Sequence, residues 1–593
     1  MRTHAPPVTD APDASSNRET LPTRKQALIF STKARVLRWR LSLANLGRNA
    51  PAALRRLPIQ DAPSIAESRT PLYSQGAAEE WALQAGKVHN LRLAARALHG
   101  RVLAPGEVFS FWANVGRASR RRGFVEGREL REGCIIPSVG GGLCQLSNAL
   151  YEVALQSGAE ILERHAHSRR VPGSSAAIDR DATVFWNYVD LRFRAVNELQ
   201  LTVELTESEL FIRLHSVANR SAHSATQLAP ESSTDPSLVE SCETCGATAC
   251  FRHPTAAALP QRTGTAWIVD AFQPEHDAWM ATNRTSIDSL LLPLDSSRWG
   301  CGPYRWTSRG FVAVHQAVFA MLRRSWISRR LSAEGAARQR ALLEMDEQVA
   351  RALAKRLPPL ATHLVISQNL LPFLWRDGLL GGRTFDVLMT RLPFAELEAQ
   401  LDRAAQVHPQ SSTLADFRAP DAIVHAEQAA LARAQRWITP HTAIAALAGA
   451  RACLLKWQHP SGRKVARGRT IVFPASTLGR KGAYELRAAI RGLDLAIRLG
   501  GPVIESAGFW RGVTLAPQTT DWLADAAAIV LPAWVEHQPR RLLQAVAAGV
   551  PVIASDMCGL ATEPGVTNVP VGDVPALRAA VIALSHESVP AST

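Results

Sequence analysis

Cys144 follows three consecutive glycines in Pro137-Ser-Val-Gly-Gly-Gly-Leu-Cys-Gln145, and an apolar run at helical spacing (Leu146, Ala149, Leu150, Val153) begins directly after it. Glycine allows backbone angles that any side chain forbids, so the three bring the chain sharply into the cysteine. Cys144 is therefore expected at a helix N-terminus, where unpaired N–H groups and the helix dipole favour a thiolate. A thiolate nucleophile needs a base and a group that orients the base. His167 and Asp181 are the candidates for those roles, with His165 and Asp179 as rivals. The competing reading is a small buried thiol beside a packing turn.

A second cluster, Cys242-Glu-Thr-Cys-Gly-Ala-Thr-Ala-Cys-Phe-Arg-His253, sets four soft ligands on a short loop: Cys242, Cys245, Cys250 and His253. The four suit a structural, tetrahedral Zn²⁺, whereas the three cysteines alone suit an iron–sulfur cluster. A third stretch runs from Val530 to Ser555, where a polar loop enters an Ala-rich helix. Such a helix N-terminus can receive a diphosphate, and side chains on the loop and helix can hydrogen-bond sugar hydroxyls.

The elements that must position these groups fall into three blocks. Residues 1–70 are expected to be a disordered tail followed by a basic amphipathic segment, 24–56, suited to an anionic membrane surface or to another part of the chain. Residues 71–216 read as one globular domain. It opens with a helix through Leu83, Val88, Leu91, Ala94 and Leu98, continues with a Pro-Gly turn and a strand up to Trp112, and closes with strands at 191–195, 199–205 and 210–214. Residues 217–262 form the linker that carries the cysteine cluster. From 263 to 593 strands alternate with helices in two halves, about 263–450 and 468–593. Strands are expected at 265–271, 287–294, 362–367, 470–474, 526–531 and 550–555. Helices are expected at 313–330, 333–357, 394–404, 426–436, from about Ala483, and at 540–548.

At 593 residues the chain exceeds one hydrophobic core, and 46% apolar with 20% charged residues is an ordinary globular composition. The net charge of +15 suits anionic partners such as nucleotide diphosphates or an anionic membrane face; a nucleic-acid partner is not expected. No apolar run is long enough to span a bilayer and no apolar leader opens the chain, so a cytoplasmic protein, peripheral to the inner membrane at most, is expected. Eight unevenly spread cysteines fit a reducing compartment.

Residues from about 87 to 194 resemble the VanW domain. The resemblance rests on Asn90-Leu-Arg-Leu-Ala94, Pro105-Gly-Glu-Val-Phe-Ser110, Gly140-Gly-Gly-Leu-Cys-Gln145, Glu163-Arg164 with His167-Ser168, Arg180-Asp-Ala-Thr-Val184 and Asp190-Leu-Arg-Phe193. Some envelope members of that family act as L,D-transpeptidases, which implies an acyl-enzyme nucleophile at Cys144 and a base at His167. The stretch from Val530 to Ser555 resembles the nucleotide-sugar site of GT-B glycosyltransferases of the GT4 type. That resemblance implies that Glu536 faces the donor sugar, that Gln544 stands where a ribose-binding glutamate is usual, and that Lys481 neutralises the diphosphate. Ser476 occupies the place of a customary arginine, for which Arg480 can compensate.

The expected architecture is therefore multidomain: an α+β VanW domain followed by an α/β GT-B-like pair of doubly wound, Rossmann-like domains. The leading function is transfer of a sugar from a nucleotide-sugar donor to a glycan or peptidoglycan-like acceptor in envelope or surface-glycan assembly, by a retaining GT4-like reaction. With Cys144 active as well, the chain would be bifunctional. The alternatives are a cysteine-dependent acyl or peptidyl transferase with a non-catalytic GT-B-like module, and a non-catalytic scaffold.

Overall fold

The computed structural model describes residues 63–73, 80–131, 134–166, 181–186, 189–216, 264–296, 304–331, 335–416, 418–461 and 468–586, with a few isolated positions such as Thr32, Val36, Arg55, Arg56, Gly302, Lys464 and Val465. The chain divides into two units, Met1–Arg262 and Thr263–Thr593.

In the first unit the principal described elements are β1 (Ser64–Pro71), α1 (Trp81–Leu98), β2 (Arg101–Leu103), β3 (Val108–Ser110), β4 (Glu126–Arg131), β5 (Cys134–Val139), α2 (Leu143–Gln156), β6 (Glu160–Glu163), β7 (Arg192–Arg194), β8 (Leu199–Leu205) and β9 (Glu209–Ser216), with a short helix at Phe111–Val115 after β3. An antiparallel sheet of order β1-β9-β8-β2 packs with a smaller sheet, β3-β7-β6, and the hairpin β4-β5. Leu83, Val88, Leu91, Ala94 and Leu98 of α1 are all buried, as their spacing requires. Beside them lie Leu146, Leu150 and Val153 of α2, and the stacked rings of Phe109 and Phe193 at 4.6 Å. The expectation for residues 1–70 needs correcting at its end. Ser64–Pro71 forms an edge strand antiparallel to β9, with Ala66 and Ser68 turned inward. Its polar composition hid an alternation that a buried partner strand completes.

The second unit holds two parallel sheets. The first comprises β10 (Ala266–Ile268), β11 (Ser289–Leu292), β12 (Ala313–Gln316), β13 (His363–Ser367), β14 (Thr384–Leu388), β15 (Arg436–Thr439) and β16 (Ala452–Leu454), in the order β12-β11-β10-β13-β14-β15-β16. Its flanking helices include α3 (Pro274–Asn283), α4 (Val318–Ser328), α5 (Ala336–Ala354) and α6 (Asp421–Arg433). The helix expected at 313–330 is in fact strand β12 followed by α4, because Ala313–Gln316 pairs in parallel with β11 at the sheet edge. The helix expected at 426–436 stops at Arg433. Arg436 belongs to β15, where its guanidinium binds Asp386 of β14 at 2.6 Å.

The second sheet comprises β17 (Thr470–Phe473), β18 (Ala496–Leu499), β19 (Thr514–Leu515), β20 (Ala526–Leu531), β21 (Val552–Ser555) and β22 (Val566–Val569), in the order β19-β18-β17-β20-β21-β22. Among its helices are α7 (Ala483–Ile490) and α8 (Arg540–Ala547). Both sheets are doubly wound. Strand order reverses between β10 and β13 in one and between β17 and β20 in the other, and ligands of such sheets bind at the carboxyl ends of the strands where the order reverses.

Candidate functional site

The loops that leave β17 and β20 carry the charged residues of the second switch point. After β17 the chain makes a single 3₁₀ turn, Gly479–Lys481, and enters α7 through Gly482. Gly482 has a φ of 77°, and a Cβ there would lie 2.0 Å from the carbonyl oxygen of Pro532, in the loop after β20. Glycine alone lets the two loops approach this closely. The approach sets Lys481 Nζ 2.8 Å from Glu536 Oε2, with both side chains mostly buried. Lys481 also donates to Val535 O at 3.3 Å, and the Gln538 N–H donates to Glu536 Oε1 at 3.0 Å. Burial opposes the charge on Glu536, yet the Lys481 ammonium, that N–H and Arg480 hold the carboxyl below its usual range. The Arg480 carbonyl accepts from Val535 N–H at 3.1 Å, which braces the same pair of loops.

Two histidines complete the neighbourhood. His441, from the first half, has Nε2 2.9 Å from the Glu536 carbonyl while its Nδ1 accepts from the Ile444 N–H at 3.4 Å, so the hydrogen sits on Nε2 and the ring is neutral. Burial lowers its affinity for a second proton. His537 directly follows Glu536. Burial, with His441, Lys481, Arg391 and Arg480 around it, keeps it neutral, and its buried Nε2 has no hydrogen-bond partner among the described residues. An exchangeable ammonium–carboxylate pair beside an unengaged imidazole can bind phosphate oxygens and hydroxyl groups together.

The halves of this unit are tied across the same region. Arg540, at the start of α8, makes two bonds of 2.6 Å to Glu275, which opens α3 just after β10. Glu505 accepts from Ser411 and Thr413 of the first half and from Gly479 N–H and the Tyr484 hydroxyl of the second, at 2.5 to 2.9 Å in their shortest contacts. At the first switch point, Asp270 follows β10 and receives both guanidinium nitrogens of Arg324 at 2.9 and 2.5 Å, and Asn369 at 2.6 Å. Arg324 also reaches Asp346 at 3.0 Å, whose carboxyl is pushed up to about 7 by burial and by the Asp270 charge, against the pull of Arg324.

In the first unit α2 begins at Leu143, so Cys144 stands in its first turn as expected. Gly142, with a φ of 98°, leads in, and its missing Cβ makes room for the stem of Lys87, whose Cγ would otherwise lie 2.1 Å away. Burial, and Arg128 beside it, lower the Lys87 ammonium to about 8. Asn90 braces the turn by donating to Gly141 O and Val125 O, each at 3.0 Å. The thiol meets Thr183, Sγ to Oγ1 3.4 Å, and the Val184 carbonyl at 3.9 Å. Asp181 is buried two residues before that threonine, and its carbonyl accepts from Arg164 at 2.8 Å.

The structure thus brings together Lys481, Arg480 and Glu536, and places Cys144 beside the Asp181–Val184 stretch. Gln544 is exposed on α8. His167 and Asp179 lie outside the described residues, as do Cys242, Cys245, Cys250 and His253. Among the described residues no group of three or more His, Cys, Asp or Glu is placed to hold a metal. His165 is exposed, with Nε2 3.5 Å from Glu163.

This fold and these sites define a two-module chain. Residues 86–215 match the family described as VanW like protein, and residues 480–587 match the family described as Glycosyl transferases group 1. The VanW-like match thus falls in the first unit, and the group 1 match in the second of the two Rossmann-type halves of the second unit. Among curated relatives, the Vancomycin B-type resistance protein VanW of Enterococcus faecalis is 33% identical over 142 residues, covering 23% of this chain and 51% of that protein. The uncharacterized protein YoaR of Bacillus subtilis is 38% identical over 106 residues, covering 18% of this chain and 34% of that protein. The chain therefore spans about half the length of the first relative and a third of the second. A solved structure, sucrose-phosphate synthase of Thermosynechococcus elongatus, is similar at a TM-score of 0.33 and 15% identity, covering 55% of this chain and 90% of that one.

Proposed function

We propose that the second unit transfers a sugar from a nucleotide-sugar donor to a glycan or peptidoglycan-like acceptor in envelope assembly, in the cytoplasm where such donors are held. The observation that carries this reading is the Lys481–Glu536 pair at the carboxyl ends of β17 and β20. Lys481 exchanges Glu536 for the oxygens of the diphosphate, and the released carboxylate accepts from a sugar hydroxyl. The neutral His537 Nε2 bonds a further hydroxyl or a phosphate oxygen, Arg480 adds charge, and the exposed Gln544 reaches the ribose. The reaction is of the retaining, GT4-like kind. A structural Zn²⁺ on Cys242, Cys245, Cys250 and His253 belongs to the same reading and is checked by metal analysis of the purified chain.

The test is turnover of radiolabelled nucleotide sugars by the full chain. Lys481→Ala and Glu536→Ala should abolish donor consumption while Cys144→Ala leaves it intact. Loss of donor consumption in Cys144→Ala alone, with both other variants active, overturns the reading. A second reading, acyl or peptidyl transfer by Cys144 with His167 and Asp181, is favoured by the position of the thiol in the first turn of α2, 3.4 Å from Thr183. It predicts the opposite pattern on acyl substrates.

A further inference from the structure

Helix α4 presents an outer face that none of the described residues covers. Phe319 is 87% exposed, Leu322 54% and Trp326 55%, and their spacing of three and four residues puts them on one stripe. Arg323 lies exposed on that stripe, and Arg329 and Arg330 follow at the end of the helix, with Arg330 3.6 Å over the Trp326 ring. The opposite face is anchored, since Met321 is buried and Arg324 reaches Asp270 and Asp346. The helix is therefore fixed in place with its apolar side outward. From 296 to 333 the chain holds seven arginines and not one Asp or Glu.

We propose that the outer face of α4 docks this unit on an anionic bilayer surface. Three large apolar side chains flanked by arginines, with no acid among them, match the boundary between acyl chains and anionic headgroups. Phe and Leu enter the acyl edge, Trp sits at the headgroup level, and the guanidinium groups meet the phosphates. A polyanion without an apolar phase would leave Phe319 and Leu322 in water, and a protein partner would have to match this charge with acids of its own. Neutral lipid offers the apolar phase without the attraction. Arg324, on the inner face of the same helix, points to the first switch point, so the docked surface lies about one helix diameter, roughly 10 Å, from the carboxyl end of β10. If the proposed sugar transfer holds, that is where a membrane-borne acceptor would be presented. The docking itself is independent of that reading.

The experiment is flotation of the full chain with vesicles of phosphatidylcholine alone and of phosphatidylcholine with phosphatidylglycerol, at low and at raised salt. The wild type should float with the anionic vesicles, much less with the neutral ones, and less as salt screens the arginines. The double substitution Phe319→Ser/Trp326→Ser should weaken partition by about tenfold or more, and Arg329→Gln/Arg330→Gln severalfold with a flatter salt dependence. All four positions are exposed, so melting temperatures should match the wild type, and donor binding measured on the same variants reports on the sugar site separately. Equal flotation of Phe319→Ser/Trp326→Ser and wild type overturns the proposal, because some other segment, such as 24–56, then does the binding. Equal binding to neutral vesicles, or none to either, also overturns it. So does a lipid-free dimer that Phe319→Ser/Trp326→Ser dissociates, which would make the face a contact between copies.

Discussion

Glu536→Gln is the substitution that separates the two roles assigned to the Lys481–Glu536 pair. At 2.8 Å and an effective dielectric near 20, the attraction between the two charges is about 6 kcal/mol before desolvation is subtracted. Removing one member of a mostly buried pair costs about 3–5 kcal/mol, since the other is left without compensation. Glu536→Ala should therefore lower the midpoint of urea unfolding clearly, and Glu536→Gln less, because its amide oxygen still accepts from the Gln538 N–H. Toward a bare nucleoside diphosphate the carboxylate is a competitor, as ligand oxygens must displace it from Lys481. Glu536→Gln removes the competitor, and titration calorimetry should show nucleoside diphosphate affinity rising by about five- to tenfold, roughly 1 kcal/mol. Turnover of the nucleotide sugar should nonetheless fall by about a hundredfold or more, because the amide binds the sugar hydroxyl more weakly. Lys481→Ala should lose both binding and turnover. If Glu536→Gln weakens bare diphosphate as much as Lys481→Ala does, the exchange mechanism is wrong.

Gly482→Ala should destabilise the second unit by roughly 2–4 kcal/mol in denaturant titration, combining the left-handed φ with the 2.0 Å approach to Pro532 O. Lys87→Met should stabilise the first unit at pH 7. The ammonium is lowered from 10.5 to about 8, and at about 1.4 kcal/mol per pH unit the wild type bears about 3 kcal/mol below pH 8 that vanishes as pH rises to 10.5, so the variants' melting curves should converge there. His276 is buried with Nε2 3.1 Å from Ile438 O, and burial lowers it from 6.5 to about 4. The unfolded chain then binds the extra proton between those values, and the second unit should lose about 3 kcal/mol as pH falls from 6.5 to 4, a loss that His276→Gln largely removes.

Legibility followed locality. The Cys144 turn could be read because three glycines and a helical repeat are contiguous, and β8 and β20 coincide with their expected ranges because each is a short apolar run between turns. Lys481 and Glu536 were singled out through the resemblance to GT4-type glycosyltransferases, and the fold sets the two 2.8 Å apart. Edge strands were harder. Ser64–Pro71 is half polar, and Ala313–Gln316 runs into α4 with only Ala317 between them, so its apolar residues read as one helix. The groups that close the site were invisible for another reason. Glu505 meets Ser411 from 94 positions away, Asp270 meets Asn369 from 99, and Glu275 meets Arg540 from 265, and no spacing rule connects them. His537 stood inside a stretch already singled out. Only the fold shows that its Nε2 is buried and, among the described residues, without a hydrogen-bond partner.

On the proposed reading, the turn at Gly479–Lys481 and Glu536 together receive a nucleotide sugar. This is tested most directly by thermal-shift and calorimetric titration of the full chain with UDP, GDP, dTDP and ADP sugars, with Lys481→Ala as the control. Stabilisation selective for one nucleotide, and absent from Lys481→Ala, is expected. No stabilisation by any donor, or stabilisation that Lys481→Ala retains, contradicts it.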